Sequence, residues 1–278
     1  MRTFTLHLKD HFPFLGENGC DATVDVYLPY NMTEMNRQNQ RRRCLVICPG
    51  GGYGYVSQRE GEPIGMRFLG EGYNVFVLTY SVKPNRFPQA IREVAAVMEL
   101  ISANAESWNC DTEHIALMGF SAGGHLACHY ANGYAWPEVR EVFPESKPVQ
   151  ASLLCYPVIT ADPGICHAGS FENLLGHYPL TEGELDRFSC HKMVGEHTPP
   201  AFLWHTAEDT CVPVQNSLLY AAALTEKKIP YELHIYPFGW HGLATADRET
   251  MNAPIAPEIA YTSTWLADSA RWLDLLWK

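Results

Sequence analysis

The chain has 278 residues, 46% of them hydrophobic, and a formal net charge of −11 at pH 7, enough length and apolar content to bury a large core in a single domain, 1–278. The acidic balance excludes nucleic acid and anionic membrane as expected partners, and no apolar run approaches the roughly 20 residues that span a bilayer. Nine cysteines, an odd number without a C-x-x-C pair, fit free thiols in a reducing compartment better than a disulfide framework.

Residues 4–8 alternate like a strand, and the first ten residues lack the apolar core and cleavage site of a signal peptide, so a cytoplasmic location is expected. A second strand is expected over 22–28. The stretch 31–43, rich in Asn, Gln and Arg, reads as a surface loop, with Arg41-Arg42-Arg43 a solvated edge. Next, Leu45-Val46-Ile47-Cys48 reads as a buried strand running into Pro49-Gly50-Gly51-Gly52-Tyr53, a loop whose backbone N–H groups no side chain shields. A strand over 75–80 precedes the clearest helix, 88–108, with Ile91, Val94, Ala95, Met98 and Ile101 on one face and Arg92, Glu93 and Glu99 outside it. The strand at 115–119 enters Gly119-Phe120-Ser121-Ala122-Gly123, followed by the small-residue start of a helix. After a strand at 152–156, residues 160–200 carry Gly and Pro but also Phe171, Leu174, Leu175, Leu185 and Phe188. They read as an insertion that folds over the site as a partial lid. A strand at 202–205 ends in Thr206-Ala207-Glu208-Asp209-Thr210-Cys211-Val212-Pro213, and a helix over 214–228 follows, closed by Pro230. The strand at 233–236 then leads to Pro237-Phe238-Gly239-Trp240-His241-Gly242, and a helix over 261–277 covers the outer face of the sheet. Strands and helices in this alternation predict an α/β fold: a mostly parallel eight-stranded sheet with helices on both faces and the first two strands antiparallel at one edge. The site is then expected at the C-terminal strand ends.

A serine hydroxyl is a weak nucleophile at neutral pH and needs a tight turn and a neighbouring base. Ser121, in G-x-S-x-G between strand and helix, meets the first need. A glycine-flanked serine can also be a plain helix N-cap, so the remaining chain decides. The glycine loop and the turn after Ser121 offer Gly51, Gly52 and Ala122 amides as oxyanion donors, each worth about 2.7–4 kcal/mol in acyl transfer. No Gly-Lys-Ser/Thr ending marks a nucleotide loop. A carboxylate at Glu208 or Asp209 and the histidine His241 follow later strands, and the order serine, acid, histidine is that of the α/β-hydrolase arrangement.

The segments Pro49 to Tyr53, Gly119 to Ala127, His205 to Pro213 and Gly239 to Gly242 together resemble the α/β-hydrolase carboxylesterases described as acetyl-xylan or feruloyl esterase-like, the BD-FAE-like enzymes. The resemblance spans roughly residue 20 to the C-terminus. It implies hydrolysis of short acyl esters, acetyl above all, on xylo-oligosaccharides or other carbohydrates, and the Val-Pro after the acid favours Asp209 over Glu208. Pro49 stands where many relatives carry histidine, which separates the chain from the hormone-sensitive-lipase branch but leaves the glycine amides available. The expected catalytic residues are therefore Ser121, Asp209 and His241, with Tyr53 and Trp240 as pocket-lining aromatics against the alternative of simple packing. No cofactor and no metal are expected: His125 and His129 are spaced i, i+4, but the glutamate of H-E-x-x-H is missing. His205 reads as structural, and Cys48 and Cys211 lie near the presumed site loops. The expected partner is a small-molecule ester, with acetylated oligosaccharide as a candidate and self-association left open. An arylformamidase-like amidohydrolase or a peptidase would use the same residues, and a non-catalytic binding protein is the reading from another class.

Overall fold

Alternating apolar residues pair into one eight-stranded sheet in the computed structural model, which describes residues 1–278. The strands are β1 (Arg2–His7), β2 (Thr23–Leu28), β3 (Arg42–Cys48), β4 (Asn74–Thr79), β5 (Cys110–Phe120), β6 (Ala151–Cys155), β7 (Ala201–Thr206) and β8 (Tyr231–Tyr236). Their spatial order is β1-β2-β4-β3-β5-β6-β7-β8. β2 is antiparallel to both β1 and β4, and every pairing from β4 across to β8 is parallel. Every expected strand is present, and the antiparallel edge lies where the non-helical link between β1 and β2 predicts it.

The two-residue period of each strand sorts its side chains between two cores. In β3, Cys44, Val46 and Cys48 face the helices Gln89–Ala103, Ser121–Gly133 and Gln215–Lys227. Leu45 and Ile47 face Glu62–Gly70 and Trp265–Leu276 on the other side. Each fully buried Val, Leu or Ile contributes about 1.5–3 kcal/mol, so the central strands, apolar on both faces, anchor the loops at their C-terminal ends. No helix is long and apolar enough to cross a membrane.

Three local expectations are corrected. The helix expected over 88–108 ends at Ala103, where Asn104 donates its side-chain amide to the Leu100 carbonyl; Trp108 then turns back against Phe4 and Phe76. Glu93 does not face solvent. It is wholly buried and accepts from the Ser81 amide at 2.7 Å, the Ser81 hydroxyl at 2.5 Å and the Gln89 amide at 2.8 Å. Burial pushes its carboxyl up to about 7 against those hydrogen bonds. The arginine cluster is also more than a solvated edge. Arg42 donates to the Asn31 side chain and to the carbonyls of Gly72 and Tyr30, while Arg43 pairs with Asp274 and donates to the Trp277 carbonyl, clamping the C-terminal helix to β3.

The insertion over 160–200 folds into the helices Ala168–Leu175 and Glu182–Phe188, the second opened by a reciprocal Thr181–Glu184 cap. Phe171, Leu174 and Phe188 are buried, and they pin this segment to the core beside the helix Ser121–Gly133.

Candidate active site

β3, β5, β7 and β8 run parallel, so the loops leaving their C-terminal ends gather on one edge of the sheet. Ser121 lies at the end of β5 with φ +53°, a left-handed conformation that costs an L-residue roughly 1–2 kcal/mol. Its surroundings enforce that turn. A Cβ on Gly119 would strike the Gly123 carbonyl, and one on Gly123 would strike the carbonyls of Cys48 and Pro49, so strand, helix and glycine loop touch backbone to backbone.

His241 reaches this serine from the loop after β8. Ser121 Oγ lies 2.8 Å from His241 Nε2, and His241 Nδ1 lies 2.6 Å from Asp209 Oδ2. With the proton on Nδ1, as the carboxylate requires, Nε2 is free to accept from the serine hydroxyl. Asp209 Oδ1 accepts from the backbone N–H of Cys211 and of Val212, each at 2.9 Å. Burial opposes its charge, but the hydrogen bonds from His205 and His241 outweigh that and hold the carboxyl well below the usual range. His205 is fully buried, with Nε2 2.9 Å from the Val212 carbonyl and 3.3 Å from Asp209 Oδ2, and Nδ1 2.8 Å from the Ser217 hydroxyl. Glu208, the neighbouring carboxylate, points elsewhere and accepts from the Gly239 N–H at 3.1 Å.

Gly51, Gly52, Ser121 and His241 line a cavity of about 350 Å³. Carbonyls in the glycine loop are occupied: Gly51 O accepts from Gly54 and Tyr55, and Gly52 O accepts from Asn173 at 2.8 Å. The N–H groups of Gly51 and Gly52 have no acceptor within the protein. Ala122, second residue of the helix Ser121–Gly133, carries one of the first-turn amides that have no intrahelical partner. These donors can receive a negative oxygen.

The two aromatics expected at the cavity are not there. Tyr53 is buried at 2% exposure; its hydroxyl is 2.8 Å from His125 Nδ1 and its ring packs edge-on to Tyr80. Trp240 is 53% exposed and does not line the cavity. Tyr55, two residues along, lines the wall instead. His125 uses its other nitrogen on the Phe188 carbonyl at 2.9 Å and stacks on His129, so the pair is packed into the core on a buried face of the helix Ser121–Gly133. Cys48 is buried, whereas Cys211 lines the cavity with burial raising its thiol pKa.

Sequence reading missed Glu60, whose burial at 3% has no local signal. Its carboxylate accepts from the Gly50 N–H at 2.8 Å and from the Tyr156 hydroxyl at 2.7 Å. That hydroxyl also accepts from the Ala244 N–H at 3.0 Å, and the Tyr156 ring lies edge-on to His241. One buried carboxylate thus ties the glycine loop to the histidine loop. The insertion supplies His167, Gly169 and Asn173 to the wall, with burial foremost, and then the charge of His241, lowering the His167 pKa.

The profile of the BD-FAE family matches residues 24–224. The chain is 37% identical to endo-1,4-beta-xylanase B of Butyrivibrio fibrisolvens over 235 residues, covering 80% of this chain and 36% of that protein. It is 32% identical to the acetylxylan esterase of Xylanibacter ruminicola over 245 residues, covering 87% of this chain and 46% of that protein. The chain therefore spans less than half the length of either curated relative. Among solved structures, the acetyl ester-xyloside bifunctional hydrolase from Caldicellulosiruptor lactoaceticus superposes with a TM-score of 0.83 at 31% identity, covering 99% of this chain and 97% of that one.

Proposed function

Because this chain belongs to the BD-FAE family and has the α/β-hydrolase fold, we propose that it is a serine carboxylesterase that removes short acyl groups, acetyl above all, from carbohydrate esters. The observation that carries this reading is the hydrogen-bonded line Ser121–His241–Asp209 opening on a cavity with free glycine amides. In the first half-reaction Ser121 Oγ bonds to the ester carbonyl carbon while its proton passes to His241 Nε2, and the carbonyl electron pair moves to an oxygen held by the N–H groups of Gly51, Gly52 and Ala122. Collapse breaks the bond to the alcohol oxygen, which takes the proton from Nε2. Water then attacks the acyl-serine, its proton passes through the same imidazole, and the acid leaves as Ser121 recovers its hydrogen. Asp209 keeps the tautomer and stabilises the imidazolium.

Acetyl specificity draws support from the modest cavity and from the acetyl-ester activity in the names of two similar proteins. The test is hydrolysis of p-nitrophenyl acetate, butyrate and octanoate by the wild type and Ser121→Ala. Acetate should be the best substrate, and the variant should lose all turnover. A higher kcat/KM for octanoate sinks the acetyl assignment, and activity surviving in Ser121→Ala sinks the nucleophile. A cytoplasmic location belongs to the same reading, supported by nine thiols that all stand unpaired; recovery of the protein in an extracellular fraction would refute it.

A further inference from the structure

Two cations stand at the cavity without an anion of their own. Arg59 leans on the histidine loop: its Nη2 is 2.5 Å from the point a Cβ on Gly242 would occupy. Lys83 approaches the glycine-loop side, its Cε 3.6 Å from the equivalent point at Gly54. Both side chains are exposed and line the cavity with Ser121 and His241, and neither enters an ion pair or a side-chain hydrogen bond.

Of the carboxylates around Arg59, Asp25 and Glu62 share a second cavity with it, while the two at the site itself are committed. Asp209 is held by His241, His205 and two backbone amides. Glu60 lies under the glycine loop with one oxygen on Gly50 and the other on Tyr156. Arg59 and Lys83 therefore put two positive charges on the wall of the cavity that holds Ser121, in a chain whose net charge is −11. A concave site lined by one sign of charge concentrates ligands of the other sign. A guanidinium offers a planar fork that fits a carboxylate with two parallel hydrogen bonds, and an ammonium adds a point charge.

On the reading of this site as that of a serine esterase, we propose that the natural ester carries a carboxylate, bound between Arg59 and Lys83 while Ser121 attacks the ester carbonyl. Two kinds of molecule supply that chemistry: a glycan with an acidic sugar near the acylated hydroxyl, in which the carboxylate leaves with the alcohol, and a half-ester of a dicarboxylic acid, in which it stays on the acyl-serine.

The test compares kcat/KM within matched pairs. Acetylated xylo-oligosaccharides with and without a glucuronic acid branch probe the alcohol side, and ethyl hydrogen succinate against ethyl butyrate probes the acyl side, all followed by proton release. In the wild type at low salt the anionic member of one pair is expected to win by about tenfold, a margin that shrinks as ionic strength rises because such exposed charges are screened. The anionic-to-neutral ratio, taken within each variant, should fall toward one in Arg59→Gln with Lys83→Gln, and below one in Arg59→Glu. A wild-type ratio near one in both pairs overturns the inference while leaving the esterase intact. A high ratio that the substitutions leave unchanged overturns the assignment to these two residues. Failure to hydrolyse any ester, neutral or anionic, instead overturns the esterase reading itself.

Discussion

Asp209→Asn is the sharpest probe of the site, because its outcome follows from which atoms already hold the side chain. Oδ1 accepts two backbone N–H groups at 2.9 Å, and only an oxygen can do that. The amide of an asparagine would therefore keep its oxygen there and turn its NH2 toward His241 Nδ1, now 2.6 Å from Oδ2. An NH2 donates, so Nδ1 must become the acceptor and the imidazole proton must move to Nε2, facing Ser121. A protonated Nε2 cannot take the serine proton. His205 adds to the conflict: its Nε2 lies 2.9 Å from the Val212 carbonyl, which accepts only, so it carries a hydrogen that would meet the new NH2. We predict a fall in kcat on the order of 10⁴, about 5 kcal/mol of transition-state stabilisation, with KM for p-nitrophenyl acetate little changed. Stopped-flow or steady-state kinetics from pH 6 to 9 read the loss, and circular dichroism establishes that the variant is folded. Glu208→Gln is the control, since the hydrogen bond Glu208 accepts comes from the Gly239 N–H and not from His241; it should keep kcat within about tenfold, a loss no larger than one modest hydrogen bond implies. If Asp209→Asn retained a tenth of the wild-type kcat, or if Glu208→Gln proved the more damaging change, the tautomer reasoning would be wrong.

Removing Glu60 with Glu60→Ala leaves the Gly50 N–H and the Tyr156 hydroxyl without their buried acceptor; we expect about 3 kcal/mol of lost stability together with a lower kcat, and an unchanged urea midpoint would refute the tie between the two loops. Ser121→Gly and Ser121→Ala should both be inactive, but the glycine variant should be more stable by about 1 kcal/mol because Ser121 stands at φ +53°; equal unfolding midpoints would argue against strain at the nucleophile. For Glu93 the folded carboxyl is raised from 4.5 to about 7, so its contribution to stability is complete below pH 4.5 and is lost as pH rises to about 7. Relative to Glu93→Gln, the wild type should therefore lose about 3 kcal/mol between pH 4.5 and 8, taking 1.36 kcal/mol per pKa unit; parallel stability profiles for the two proteins would contradict it.

Local patterns were enough to locate all eight strands, because a strand's alternation and the glycines or prolines that end it are properties of consecutive residues. The same holds for Ser121, whose two flanking glycines announce a backbone packing that no other residue permits, and for His241, carried on a short loop after a strand. Between adjacent carboxylates the strand pattern had no means of choosing. Asp209 turns inward toward His241 while Glu208 turns out to Gly239, and that difference depends on where a loop 30 residues later, in numbering about 239–242, comes to rest. Charged residues show the limit most clearly. Glu93 reads as solvent-facing, and nothing local marks Glu60 for burial, because burying a lone carboxylate is costly; yet each is buried where distant backbone and side-chain donors converge on it. Tyr53 and Tyr55, two residues apart in a glycine-rich turn, were separated into core and cavity only by the packing of Tyr80, His125 and the insertion around them. Nearest-neighbour chemistry thus determined the elements and the turn that presents the nucleophile; contacts between segments far apart in the chain decided which polar side chains face the cavity and which are buried beneath it, because burial and hydrogen-bond partners exist only once those segments have met.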